Sequence, residues 1–213
     1  EIGVRLVGSE MCIRDSKYEM QLRKLHAEMI EMGTMIEQAI ETAIKALVAQ
    51  DTELAKKAIE ADDAIDHQER EIENLCLKLF LTQQPVAGDM RNISAALKMV
   101  TDMERIGDHA SDISELTLCM AGTPYIKKLE HVQQMAKETI VMLVSSIEAY
   151  VNADEKKAKS VIAHDDIVDD LFDTIKNELI AMIHDNPDDG EQACDLLTVS
   201  YTHLRAHETD SYL

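Results

Sequence analysis

Between Leu22 and Ala43 the apolar positions Leu22, Leu25, Met29, Met32, Ile36, Ala39 and Ala43 fall alternately three and four residues apart. That spacing lines them up on one face of a helix and predicts an element of about 30 residues. A second seam runs through Leu54, Ala58, Ala61, Ile65, Ile72, Leu75 and Leu79, with a stop signal at the Gln84-Pro85 step and Gly88. A third runs through Ile93, Ala96, Val100, Met103, Gly107, Ala110 and Ile113, and ends at Gly122 and Pro124. Three long stripes joined by short turns can be buried only against one another, which predicts an antiparallel three-helix bundle.

The pattern then returns. Ala61-Asp62-Asp63-Ala64-Ile65-Asp66 corresponds to His164-Asp165-Asp166-Ile167-Val168-Asp169 at an offset of 103 residues, and the same offset carries Asp51 onto Asp154, Ala58 onto Val161 and Ile72 onto Ile175. A helix from about Tyr125 to Asn152 stands where the first helix of the unit belongs. The expected fold is all-α: two tandem three-helix bundles, the second incomplete because its third helix starts near Glu191 and keeps its pattern only to about Leu197. The ends, 1–16 and 198–213, lack this periodicity. Their strings CIRDS and SYTHLRAHET resemble translated sequencing-adapter sequence, so they are expected to be artefactual tails. The expected organisation is a first repeat over 17–122 and a truncated second over 123–197, its stripes exposed and prone to aggregate or pair with another chain.

Composition narrows the function. A net charge of -20 repels polyanions and argues against nucleic acid as a partner. No apolar run approaches bilayer length, so no membrane insertion is expected, and the chain reads as cytoplasmic. The four cysteines are scattered without a CxxC pair, which signals neither zinc nor a disulfide framework and leaves them as small buried hydrophobes. The methionines fall mostly on the seams and read as core filling.

The candidate chemistry lies in acidic pairs. In Asp102-Met103-Glu104-Arg105-Ile106-Gly107-Asp108-His109-Ala110, Glu104 and Asp108 are four residues apart and share a helix face. Like charges so placed repel unless a cation lies between them, and oxygen-only ligands favour hard cations over zinc. Gly107 costs helix propensity, which close approach of another helix or a ligand would offset. Asp62 and Asp165 lie in phase with the buried seams and therefore need a partner, and Asp66 and Asp169 complete their DxxxD pairs. Acid pairs at this spacing are common in so acidic a chain. The residues alone leave open both metal binding and a solvated face with ion pairs to Arg70, Arg91 and Arg105.

The Glu104-Arg105-Ile106-Gly107-Asp108-His109-Ala110 string and the duplicated unit, over residues 17–197, resemble the PhoU family of phosphate-uptake regulators. The resemblance implies a homodimer-prone protein that binds metal clusters through E/DxxxD pairs. Its ligands would be Glu104 and Asp108 with Asp62 and Asp66 in the first repeat, and Asp165 with Asp169 in the second. The implied cofactor is a metal cation, iron foremost, with manganese or magnesium as alternatives. The implied partners are the ATPase subunit of the phosphate ABC transporter and the phosphate-sensing histidine kinase. Two departures stand out. His207-Glu208-Thr209-Asp210-Ser211 does not match the second motif expected there, and Asp112 stands where the family usually has Asn. No catalytic residue is expected: no Glu from 17 to 197 has a His three residues on, as di-iron bundles require, and no nucleophile stands beside a base. A structural helical dimerisation module without metal is the competing reading.

Overall fold

The computed structural model describes the backbone at residues 2–83 and 87–210 and the side chains at 18–81, 88–202, 204 and 205. Six α-helices follow one another: α1 (Ile2–Ala49), α2 (Thr52–Gln83), α3 (Ala87–Met120), α4 (Glu130–Val151), α5 (Glu155–Asp185) and α6 (Gly190–Asp210), with a short 3-10 turn, Pro187–Asp189, before the last. No strand occurs among the described residues. Helices α1, α2 and α3 pack on one another as the first bundle and α4, α5 and α6 as the second, while α1 also meets α4 and α3 also meets α6.

The predicted seams are the core. Leu25, Met29, Met32 and Ile36 of α1, Ile65, Ile72 and Leu79 of α2, and Ile93, Val100, Met103 and Ile113 of α3 are essentially buried in one continuous apolar cluster. Each such side chain contributes about 1.5–3 kcal/mol relative to exposure. Buried hydroxyls cost little, because each turns back on its own helix. Ser114 donates to Ala110 O at 2.9 Å, Thr117 to Ile113 O at 2.8 Å and Ser200 to Leu196 O at 2.9 Å.

The duplication is visible in the turns. Among the described residues Gln50 and Ala153, 103 residues apart, are the two non-glycine residues with left-handed backbone, at φ 51° and 49°. Each is followed by an aspartate that starts the next helix: Asp51 accepts from the amides of Glu53 and Leu54, and Asp154 from those of Lys156 and Lys157. Even the closing bonds match, Asp51 N to Ala46 O at 3.0 Å and Asp154 N to Ala149 O at 2.8 Å.

Several expectations are corrected. α6 does not stop at Leu197 but runs to Asp210, with Val199 and Ser200 buried. The reason is that Leu196 and Val199 repeat Ile93 and Ala96 at the same offset and keep the apolar face going. α6 packs on α4 and α5, so the stripe of Val161, Val168, Ile175 and Leu179 is covered. At the other end α1 runs continuously from Ile2, through the segment expected as a tail. α4 begins at Glu130, not Tyr125, because 121–129 has backbone bonds elsewhere. Cys76 is buried, but Cys119 and Cys194 are exposed. The Gln84-Pro85 step lies outside the described residues.

Gly107 performs the task its helix cost suggested. A Cβ there would lie 3.0 Å from both Cδ1 and Cγ2 of Ile65, so α2 and α3 touch at this point. Gly107→Ala would gain helix propensity of about 0.8–1.0 kcal/mol but overpack by about 1–3 kcal/mol. We expect a net loss of about 1 kcal/mol in denaturant unfolding, and a less than additive loss when Ile65→Val, which removes Cδ1, is combined with it.

Candidate metal centre between the second and third helices

The Ile65–Gly107 contact brings the acidic faces of α2 and α3 together. Asp66 from α2 and Glu104 with Asp108 from α3 each present a carboxylate oxygen, and the three oxygens lie within 4.8 Å of one another. Two donors on one ion can be no farther apart than twice the metal–oxygen distance, which is roughly 4–5 Å for hard cations. The group therefore fits a single divalent cation with little rearrangement. Its donors are all carboxylate oxygens, which suits magnesium, manganese or iron.

Electrostatics points the same way. Burial and then Asp108 push the Glu104 carboxyl up from 4.5 to about 7, with Glu69, Asp66 and Asp62 adding to the rise. Burial, then Asp108 and Asp66, push Asp62 up from 3.8 to about 6. Asp108 is raised as well, by burial first and then by Asp66 and Asp112. One oxygen of Asp62, Oδ1, is buried and meets no hydrogen-bond donor. Positive charge close by is limited. Arg70 bonds Asp66 at 3.3 Å across an exposed edge, and Arg105 turns to Asp102 at 4.0 Å. The ion-pair reading is thus realised in part at Arg70, yet Glu104 and Asp108 keep their mutual repulsion.

One contributor escaped the sequence reading, and one departure noted there, Asp112, takes its place at the site. Glu69, half-buried, adds its charge to Glu104. Its position three residues after Asp66, on the same helix face, was the available signal. Asp112 accepts from His109 Nδ1 at 3.4 Å and extends the acidic surface into a cleft of about 290 Å³ lined also by Asp62, Arg105, Asp108, Ser111 and Glu115.

The second repeat is different. Asp165 also has a buried Oδ1, but Asp169 is exposed, and among the described residues neither joins a group of three metal-ligating side chains. The side chains at 207–211, where α6 would supply the facing carboxylates, lie outside the described residues. His164 meets Glu138 at 2.7 Å instead of an aspartate of its own helix.

Fold and site together define an all-helical protein of two tandem three-helix repeats that carries a carboxylate cluster between two helices of the first. Comparison with known proteins supplies the lineage. The PhoU domain family model matches at residues 29–117 and again at 132–206. A phosphate-specific transport system accessory protein PhoU homolog of Clostridium acetobutylicum is 37% identical over 183 residues, 85% of this chain and 84% of its own. The homolog from Aquifex aeolicus is 33% identical over 180 residues, 84% of this chain and 81% of its own. The crystal structure of PhoU from Pseudomonas aeruginosa superimposes with a TM-score of 0.86 at 25% identity, covering 92% of this chain and 94% of that one. The chain belongs to the PhoU family.

Glu104 and Asp62 hold their protons more tightly in the folded chain than in the unfolded one. Folded protein therefore carries more protons between the ordinary carboxyl range and pH about 7, and its stability falls as pH rises through that window. In chelator, the melting temperature should decline from about pH 5 to about pH 7.5, and Glu104→Gln should flatten the decline. A melting temperature that rises over this range, unaltered by the substitution, would contradict the assignment.

Proposed function

We propose that this protein is a cytoplasmic regulator of phosphate homeostasis that restrains high-affinity phosphate uptake and the phosphate-starvation response. It acts by contact, as a homodimer, with the ATPase subunit of the phosphate transporter and the phosphate-sensing kinase. Membership in a family whose named relatives are phosphate transport accessory proteins supports this reading. So does the absence, among the described residues, of any helix long and apolar enough to cross a membrane: such a protein meets its transporter at the surface. No residue is assigned a catalytic role.

The observation that carries the metal part of the proposal is the convergence of three carboxylate oxygens within 4.8 Å beside an apolar seam. Asp66, Glu104 and Asp108 would hold the cation, with Asp62 at its flank. When bound, the metal supplies the positive charge that this corner lacks. The chain's own residues do the rest: Ile65 and Gly107 fix the spacing of the two helices, and Arg70 steadies Asp66 from the solvent side. Iron, manganese and magnesium all suit the donors. A comparable ion at Asp165 and Asp169 needs carboxylates from α6, whose side chains there are not described.

The purely structural dimerisation module would leave the carboxylates solvated, and the raised carboxyls of Glu104 and Asp62 count against it. A carboxylate-bridged metalloenzyme finds less support still, because the Glu-x-x-His ligand pairs of that class are missing from residues 17–197.

The test is complementation in a bacterium lacking its own PhoU-family protein, with uptake of labelled phosphate and metal content measured on the same strains. The parent chain should lower uptake and co-purify with metal, and Glu104→Ala with Asp108→Ala should lose both. Unrestrained uptake with the parent chain would overturn the regulatory reading. Restrained uptake by a metal-free double variant would leave the regulator standing and remove the metal from its mechanism.

A further inference from the structure

The segment 121–129 joins the repeats without helix or strand, so its backbone polar groups need partners outside regular structure. They find them in two glutamine side chains. Gln192, near the start of α6, accepts from Ile126 N at 2.6 Å and donates to Pro124 O at 3.2 Å, a two-point clasp on the backbone either side of Tyr125. Gln50, in the α1–α2 turn, donates to Thr123 O at 2.7 Å and to Met120 O at 3.3 Å, the last residue of α3. Between the clasps, Tyr125 reaches back and donates its hydroxyl to Leu47 O at 2.6 Å, in the last turn of α1. Burial raises the pKa of that hydroxyl, which keeps it a donor. Beyond Tyr125, Lys127 and His131 both bond the Glu178 carboxylate of α5.

The repeat supplies an internal control. At the position equivalent to Gln50 the second repeat has Ala153, with nearly the same φ and the same closing bonds. The turn does not need a glutamine, so the amide at position 50 serves the segment it grips. Tyr125 is distinctive too: the backbone of its two neighbours, Pro124 and Ile126, is held by the second repeat and its hydroxyl by the first.

We infer that residues 121–129 form a strap that locks the two repeats at this end, with Tyr125 as its bolt and the amides of Gln50 and Gln192 as its clasps. Opening the strap lifts Leu129, Tyr125 and Ile126 away from the apolar cluster that includes Leu47 and frees the exit of α3, the helix that carries Glu104 and Asp108. The inference does not depend on any bound metal.

Hydrogen exchange on the full chain under native conditions tests it, with trypsin cleavage after the exposed Lys128 as a second readout. In Gln192→Leu the amides of 122–130 should exchange roughly ten-fold faster or more, with α2 unchanged. Tyr125→Phe, which keeps the ring and loses only the hydroxyl, should accelerate the same amides by a smaller factor and folds even if Gln192→Leu does not. Strap exchange and cleavage within about two-fold of the parent in Tyr125→Phe and Gln50→Leu would overturn the lock.

Discussion

The contact of Ile65 with Gly107 sets how closely α2 and α3 approach, and the candidate site depends on that approach. With no Cβ on Gly107, the branched Ile65 side chain seats directly on the α3 backbone. The carboxylates one step around each helix then face each other across a gap of ionic size. The apolar seam supplies the force that holds them there, since burial of Ile65, Ile72, Met103 and Ile106 outweighs the repulsion of half-exposed acids. A site assembled in this way is strained electrostatically before any ligand arrives. The geometry is one in which ordinary helix-forming residues would offer a cation its donors at one spot.

Much of this was legible in the sequence. The seam residues from Leu25 to Ala43, Ile65 to Leu79 and Ile93 to Ile113 are buried as their spacing requires, because a stripe with a three-and-four period has few other ways to leave water. Helix phase put Glu104 with Asp108 and Asp62 with Asp66 on their own helix faces; only the resemblance implied that the two pairs meet, and of the four the structure gathers Asp66, Glu104 and Asp108. Periodicity could not weigh Glu69, whose contribution depends on which side of the cluster faces α3. It also misjudged the ends of elements. α4 starts five residues late because Pro124 and Tyr125 are committed to Gln192 and Leu47, partners distant in sequence. α6 runs past Leu197 because Val199, one turn on from the buried Leu196, keeps it on the core.

The repeats share a backbone plan but not a chemistry. Their turns match to the bond, with Asp51 and Asp154 opening α2 and α5 alike. Yet among the described residues the first repeat gathers its acids, whereas in the second Asp169 faces solvent, Asp173 pairs with Lys176 and His164 engages Glu138. Duplication thus preserved the seams, on which folding depends, while the described polar faces of α2 and α5 differ.

The central claim is that Asp66, Glu104 and Asp108 bind one hard divalent cation. Anomalous diffraction from crystals soaked in manganese tests it most directly. The account predicts a peak within coordination distance of all three carboxylates, roughly 2.0–2.6 Å from their oxygens. No peak there, with manganese bound elsewhere or nowhere and Glu104 turned toward solvent, would contradict it.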